Sequence, residues 1–570
     1  MLNYDVLIVG SGGAGMRAAL AASENNNLRV AVISKTYPTR SHTGAAQGGI
    51  NAVLKNRDAS DTTELHFKDT VKGSDFLADQ DAVEFFVEGM PSIIKELDYY
   101  GVPFSRDENG KVAQRPFGGA SKPRACYSAD KTGHVILHAL FEQCLKNNVE
   151  FLNEWFLLEI VATDKKLDGV VAMNFRTGEI HPIHAKSVVI ATGGFGRIYW
   201  SRTTNAFNMT GDGVAVCLEA GIPIKDPEFV QYHPTGMAKT GTLLSEACRG
   251  EGGYLINNKG ERFMERYAPE KMELGPRDLV ARSIETEIKE GRGFGEGITA
   301  YVYMDLRHLG KEKIMERLPQ VRQLALEFEG VDLITDPVPI RPSCHYVMGG
   351  IDVADYKTGS TIIEGVHAAG ECACVSLHGA NRLGANSVAD AVFYGKVAGE
   401  GARDVALRRQ AGNAAKVEAS AKQWKSTFDA MRGKKKGNAN LYEIRDKMAA
   451  SLWNNVGIFR NGEEMEQALK DINELMDAYK DTFITDESVK YNTAFLQYVE
   501  VGNLLKLAKS VTMGALARKE SRGSHSRMDY PTRNDAEFLK HTLVYKNGDE
   551  FTLDYAPVTI TKYQPEERKY

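Results

Sequence analysis

Proline leaves a long gap in this chain: of 18, none falls between Pro342 and Pro531. A stretch lacking the residue that breaks helices is expected to hold long ones. Cysteine is scarce. The seven (Cys126, Cys144, Cys217, Cys248, Cys344, Cys372, Cys374) are odd in number and form no CxxC repeat. That excludes a disulfide framework and argues against iron–sulfur or zinc ligation, leaving buried or idle thiols. No apolar run, such as 187–192 or 389–394, approaches the roughly 20 residues that span a bilayer. Membrane contact is therefore expected only through a partner. Neither charge dominates: Lys and Arg total 70, Asp and Glu 75, and the net charge is −5. Without a basic patch, no nucleic-acid partner is expected. The first strand starts almost at Met1, leaving no room for a signal peptide, so the chain is expected to be cytosolic and bacterial or archaeal in style.

What is present is an ordinary globular composition, 43% hydrophobic and 25% charged, and a length that implies three to four domains at roughly 150 residues each. Glycine, at 54, clusters in tight motifs where a backbone can approach a ligand closely. The runs YDVLIVG, AGMRAALAASEN and LRVAVIS read as strand, helix and strand. Similar buried-strand runs at 187–194 and 365–371 imply one doubly wound domain interrupted by an insertion. The expected division is a Rossmann-like domain from 1–239 and 351–403, an α+β cap from 240–350, a helical domain from 404–520 and a C-terminal segment from 521–570. In the helical domain Met465, Leu469, Ile472 and Met476 recur at helical spacing. Lys434, Lys435 and Lys436 read as an exposed loop.

Gly10, Gly12 and Gly15 form GxGxxG directly after the first strand, with Gly13 opening the helix. The first glycine allows the turn, the second lets the backbone approach a pyrophosphate, and the third permits close helix–strand packing. The second strand ends in Ser34 and Lys35 rather than the acidic residue of an NAD site. A Ser34 hydroxyl can still bond a ribose, which favours FAD. The segments ATGGFGR (191–197), containing Thr192 and Gly193, and AAGECACVSLHGANRLGANS (368–387) strengthen a flavoprotein reading, with Glu371 accepting from a ribityl or ribose hydroxyl.

The motifs RSHTGAAQGGINA (40–52), FGG (117–119), TGDG (210–213), QYHPTG (231–236), SEACRGEGG (245–253), ELGPRD (273–278), RPSCHYVMGG (341–350) and HGANRLGANS (378–387) resemble the flavoprotein subunit of succinate dehydrogenase and fumarate reductase, the complex II family. The resemblance reaches ESRGSHSRMDYPTRND at 520–535. It implies FAD bound covalently through His42, within a site that includes Ser41, Thr43, Gly48, Gly49, Asp212 and Ser387. It implies a dicarboxylate held at one end by Arg382 and His345 and at the other by His233 and Ser245, where the family usually has Thr. Arg382 also falls in the cofactor site. Arginine suits carboxylate because its planar fork binds bidentately. Phe117 would twist one carboxylate out of plane, or serve only in packing.

Arg277 matches the family's proton-transfer residue, with Glu246 and Arg249 completing a relay; the alternative role for Arg277 is a third electrostatic clamp. Cys248, beside positive charge, is expected to favour thiolate and to block the site when alkylated. The resemblance further implies hydride transfer between succinate and flavin, an iron–sulfur partner subunit, membrane quinone subunits beyond it, and a place on the cytoplasmic face of the membrane. The helical domain and the Arg-rich stretch 518–533 are candidates for the docking surface, or simply a solvated bundle and tail. Rival readings are L-aspartate oxidase, a soluble fumarate reductase, and a flavin-binding sensor without turnover. Gln47 leans toward succinate oxidation, and the direction stays open.

Overall fold

The computed structural model describes residues 2–24, 27–434 and 437–566. Leu2–Val9 and Val30–Ser34 pair in parallel, with the helix Gly13–Ser23 crossing between them. The other edge of Leu2–Val9 pairs with Glu179–Ile190, whose last three residues also pair in parallel with Val366–Ala368. Glu150–Asn153 extends the sheet beyond Val30–Ser34, and the hairpin of Trp155–Thr163 and Lys166–Asn174 adds to the first half of Glu179–Ile190. Every residue of Val30–Ser34 is buried, as a parallel strand covered on both faces requires. The helix Asn386–Arg408 lies against Gly13–Ser23 through two glycines. A Cβ at Gly395 or Gly399 would sit 2.5 or 2.3 Å from the carbonyl oxygen of Ala14 or Ala18. This is the expected Rossmann-like sheet, built from segments on both sides of an insertion.

The insertion has its own core, in which Met237, Leu255, Ile284, Met304 and Ile340 are fully buried. Its antiparallel sheet joins Val230–Met237, Val338–Val347, Val302–Asp305 and Tyr254–Ile256. The first two strands connect the units. Val230, Tyr232, Cys344 and Val347 bury their side chains in the larger core, and Met237, Val338 and Ile340 in the smaller one.

The proline-free stretch contains Asn386–Arg408, Ala414–Met431, Leu441–Val456, Gly462–Tyr479 and Thr493–Ala517. Asn413, Asn440, Asn461 and Asn492 each cap the following helix, accepting a backbone N–H with the side chain. Of the four residues read at helical spacing, Met465 and Ile472 are buried and Leu469 and Met476 only half-buried, with Ala468 completing the buried face. Lys434 departs from the expected exposed loop: it is half-buried and its ammonium donates to the Thr482 carbonyl at 2.9 Å. Lys435 and Lys436 lie outside the described residues.

The stretch 518–533 corrects a second expectation. Arg518, Arg522 and Arg527 are buried, not arrayed for docking. Arg518 meets Glu228 and Arg522 meets Glu520, each at 2.7 Å, and Arg527 meets Asp529 at 2.7 Å. A buried cation without a partner is costly. For Arg518 the burial is hidden because its partner Glu228 is distant in sequence. The closing hairpin, Lys540–Asn547 and Glu550–Pro557, pairs with Ile224–Lys225.

Candidate active site

A cavity of about 1610 Å³ opens between the Rossmann-like unit and the cap. Its inner end is the glycine loop. Gly10 has φ +107°, and a Cβ there would lie 2.2 Å from the Ala191 carbonyl oxygen. Gly15 stands behind the wall, where a Cβ would meet the Gly10 carbonyl oxygen at 1.9 Å, so it serves packing. The helix Gly13–Ser23 has no side-chain cap at Gly12 and no acidic residue in its first turn. Its positive end therefore suits a pyrophosphate. The Gly13 N–H donates to Thr43 Oγ1 at 3.0 Å, tying the loop containing His42 to the glycine loop.

Ser41, Gly48, Gly49, Thr192, Gly193 and Ser387 line the same cavity. Ser41 Oγ, Gln47 Oε1 and Thr192 Oγ1 are buried without a protein partner, which fits a polar group seated against them. Ser34 Oγ lies 2.6 Å from Ser11 Oγ. Lys35 and Asp212 also line the cavity, but their charges meet each other. The Lys35 ammonium contacts Asp212 at 2.9 Å, Glu500 at 2.6 Å and Thr210 at 2.7 Å, and Asn503 donates to Asp212 at 3.0 Å. Glu371 accepts the Val347 N–H at 3.2 Å. Burial pushes its carboxyl up to about 8 against the pull of Val347 and Arg382, making it a hydrogen-bond donor as well as an acceptor at neutral pH. Burial, then Arg197, lowers His42 to about 4 and keeps its imidazole neutral.

The cap side carries the charged cluster. Glu246 accepts from Arg277 Nε at 2.7 Å and also meets Arg277 Nη2 at 2.7 Å. Arg249, fully buried behind them, donates to the Glu273 carbonyl at 2.7 Å and lies 3.6 Å from Glu246. Burial alone would raise Glu246, but Arg277 and Arg249 prevail and hold it down at about 2. His233 and His345 meet edge to face with ring centroids 5.1 Å apart. Burial, followed for His233 by Arg277 and for His345 by His233 and Arg382, holds both well below the usual histidine range. The Thr235 N–H donates to His233 Nδ1 at 3.2 Å, leaving the ring proton on Nε2. Arg382 donates to Gln231 at 2.9 Å and its guanidinium lies 4.4 Å from the Tyr346 ring centroid.

Phe117 sits between two glycines. A Cβ at Gly48 would meet its Cζ at 2.7 Å, and one at Gly384 its Cδ1 at 2.5 Å. Arg277 lies 5.8 Å from that ring. Ser245 lines the cavity and accepts the Ala247 N–H at 3.3 Å.

Except for Gly15 and Arg249, every site residue named from the sequence lines this cavity. Sequence reasoning missed Tyr346, Gln231, Thr204 and Arg197. Thr204 Oγ1 lies 2.8 Å from His345 Nδ1. Tyr346 and Gln231 stand within the RPSCHYVMGG and QYHPTG motifs, which offered the signal. Cys248 corrects an expectation: it is fully buried, and burial pushes its thiol up to about 12 despite Arg249. It is neither a reactive thiolate nor an open alkylation site. Among the described residues no group of three or more His, Cys, Asp or Glu side chains is arranged to hold a metal ion, and no helix is long and apolar enough to cross a membrane.

Fold and cavity together define an FAD-binding oxidoreductase. Residues 5–388 match the FAD binding domain family, and residues 445–570 match the fumarate reductase flavoprotein C-terminal family. The chain is 50% identical over 568 residues to the 8-methylmenaquinol:fumarate reductase flavoprotein subunit of Wolinella succinogenes, covering 99% of this chain and 92% of that one. It is 44% identical over 580 residues to the succinate dehydrogenase flavoprotein subunit of Rickettsia bellii, covering 99% and 96%. A solved quinol–fumarate reductase with menaquinol molecules superposes with a TM-score of 0.94 at 42% identity, over 99% of this chain and all of that one. The chain belongs to the succinate dehydrogenase and fumarate reductase flavoprotein subunits of complex II.

Proposed function

We propose that this chain interconverts succinate and fumarate with FAD linked covalently to His42, and exchanges electrons with membrane quinone through an iron–sulfur subunit. The observation that carries the reading is one cavity lined by His233, His345 and Arg382 together with the Arg277–Glu246 pair and the glycine loop. FAD would supply the hydride acceptor or donor. Arg382 and His345 hold one carboxylate of the substrate; His233 and Ser245 hold the other. Two neutral imidazoles donate hydrogen bonds there without adding charge, so the dianion is balanced by Arg382 and Arg277.

In the oxidising direction Arg277 takes the proton lost from the substrate methylene as it passes one to Glu246. That carboxylate is ionised and hydrogen-bonded to it at 2.7 Å. Reduction runs the same transfers backwards. Phe117, braced by Gly48 and Gly384, presses on the substrate and closes the cavity against water. The neutral His42 imidazole has a lone pair free for the flavin link. The reading assigns the one-electron carriers to the iron–sulfur partner subunit. The reading places the chain peripherally on the cytoplasmic face of the membrane, acting as a quinone-linked enzyme.

Acid precipitation tests the flavin link. A fluorescent protein band that disappears in His42→Ser is the expected result. A dark band with yellow supernatant, in a host that flavinylates a known covalent flavoprotein, rejects the linkage.

A further inference from the structure

Behind the active site, where the cap meets the rest of the chain, lies a buried cluster that the proposed reaction does not use. Arg202 is 1% exposed and touches three parts of the fold. Its Nε donates to the Ile298 carbonyl in the cap at 2.7 Å, and its guanidinium lies 4.4 Å from the ring of Trp453 in the helical domain. Arg341, on a connecting strand, donates to the same Ile298 carbonyl at 2.7 Å and to the Ser201 carbonyl at 3.0 Å. The carboxylate facing both is Glu285, also buried, on the helix Arg277–Lys289. Arg202 Nη1 and Glu285 Oε2 are 4.0 Å apart, and neither has a hydrogen-bond partner.

That spacing is too long for a direct hydrogen bond. A shift of about 1 Å closes it into a charge-assisted bond and satisfies two buried orphans at once. The helix bearing Glu285 begins at Arg277, so the shift moves both residues together; eight residues span about 12 Å of helix. We propose that Arg202 and Glu285 form the ion pair that seats the cap on the rest of the chain, making them positioning residues for Arg277. This inference rests on the proposed role of Arg277. A displacement of about 1 Å at a reacting group can cost about 100-fold in rate.

The test compares wild type, Glu285→Gln, Arg202→Lys and the double variant as flavin-loaded holoenzyme. Glu285→Gln is expected to lower kcat about 10- to 100-fold, with KM for succinate within about 3-fold and an unchanged flavin absorption spectrum. The double variant is expected to be no worse than the weaker single, because both remove one interaction. Hydrogen exchange supplies a readout besides turnover: added dicarboxylate should protect amides 277–289 in wild type and not in Glu285→Gln. Wild-type kcat in Glu285→Gln, additive losses in the double variant, or equal protection in both proteins overturns the pair's role. Wild type that does not turn over succinate rejects the proposed function instead, and hydrogen exchange then decides the pairing by itself.

Discussion

Replacing Glu246 by Gln probes the proposed relay directly, because it keeps the shape and removes the charge. In the folded protein the carboxyl is held at about 2 against an ordinary 4.5, a difference of about 3 kcal/mol. With 28% of the side chain exposed, solvent screening leaves about 2 kcal/mol, a factor of roughly 30. Removing the charge leaves Arg277 and Arg249 facing each other without a counter-ion and takes away the acceptor for Arg277's proton. The account expects kcat for dye-coupled succinate oxidation to fall at least about 30-fold, with dicarboxylate affinity changed far less. Flavin content serves as the folding control. A variant that keeps more than half of wild-type kcat across pH 6–9 would refute the relay and leave Arg277 as a clamp.

Other consequences are equally concrete. Cys248, buried with its thiol pushed up to about 12, should resist iodoacetamide in folded protein at pH 8; mass spectrometry showing its rapid alkylation would contradict the burial argument. His541 is raised to about 9 because Asp226 and Asp79 outweigh burial. A raised histidine stabilises fully below about 6.5 and loses that contribution as pH climbs through 9, here about 3 kcal/mol. The melting temperature should fall from pH 7 to 9.5, and His541→Gln should flatten that slope. Gly399→Val places carbon against the Ala18 carbonyl oxygen and should cost about 2–3 kcal/mol by denaturant titration, with loss of flavin from the cofactor site.

Local signals in the sequence specify much of this molecule. Gly10, Gly12 and Gly15 stand in the one context, strand then helix, where their spacing has a physical meaning. The long helices follow from the absence of proline and from the spacing of Met465 and Ile472. What stayed hidden depends on partners far along the chain. Lys35 lines the cavity as expected of a site residue, but its ion pairs with Asp212 and Glu500, 177 and 465 positions away, could not be read from its neighbours. Arg518 reads as surface until Glu228, 290 positions away, is found beside it inside the fold. Cys248 illustrates the converse: neighbouring charges in sequence suggested a reactive thiolate, and burial in the cap core decided otherwise. Tyr346 lay within a recognised motif, yet its contact with Arg382 depends on the fold bringing 346 and 382 together.

The central claim is most directly tested by adding succinate to purified flavin-loaded protein with an artificial electron acceptor, wild type alongside Arg277→Ala. The account predicts succinate-dependent acceptor reduction with fumarate as the product in wild type, and loss of turnover with flavin retained in the variant. Flavin-replete wild type that leaves succinate unchanged and cannot reduce fumarate with a reduced dye, or an Arg277→Ala variant that turns over normally, would contradict it.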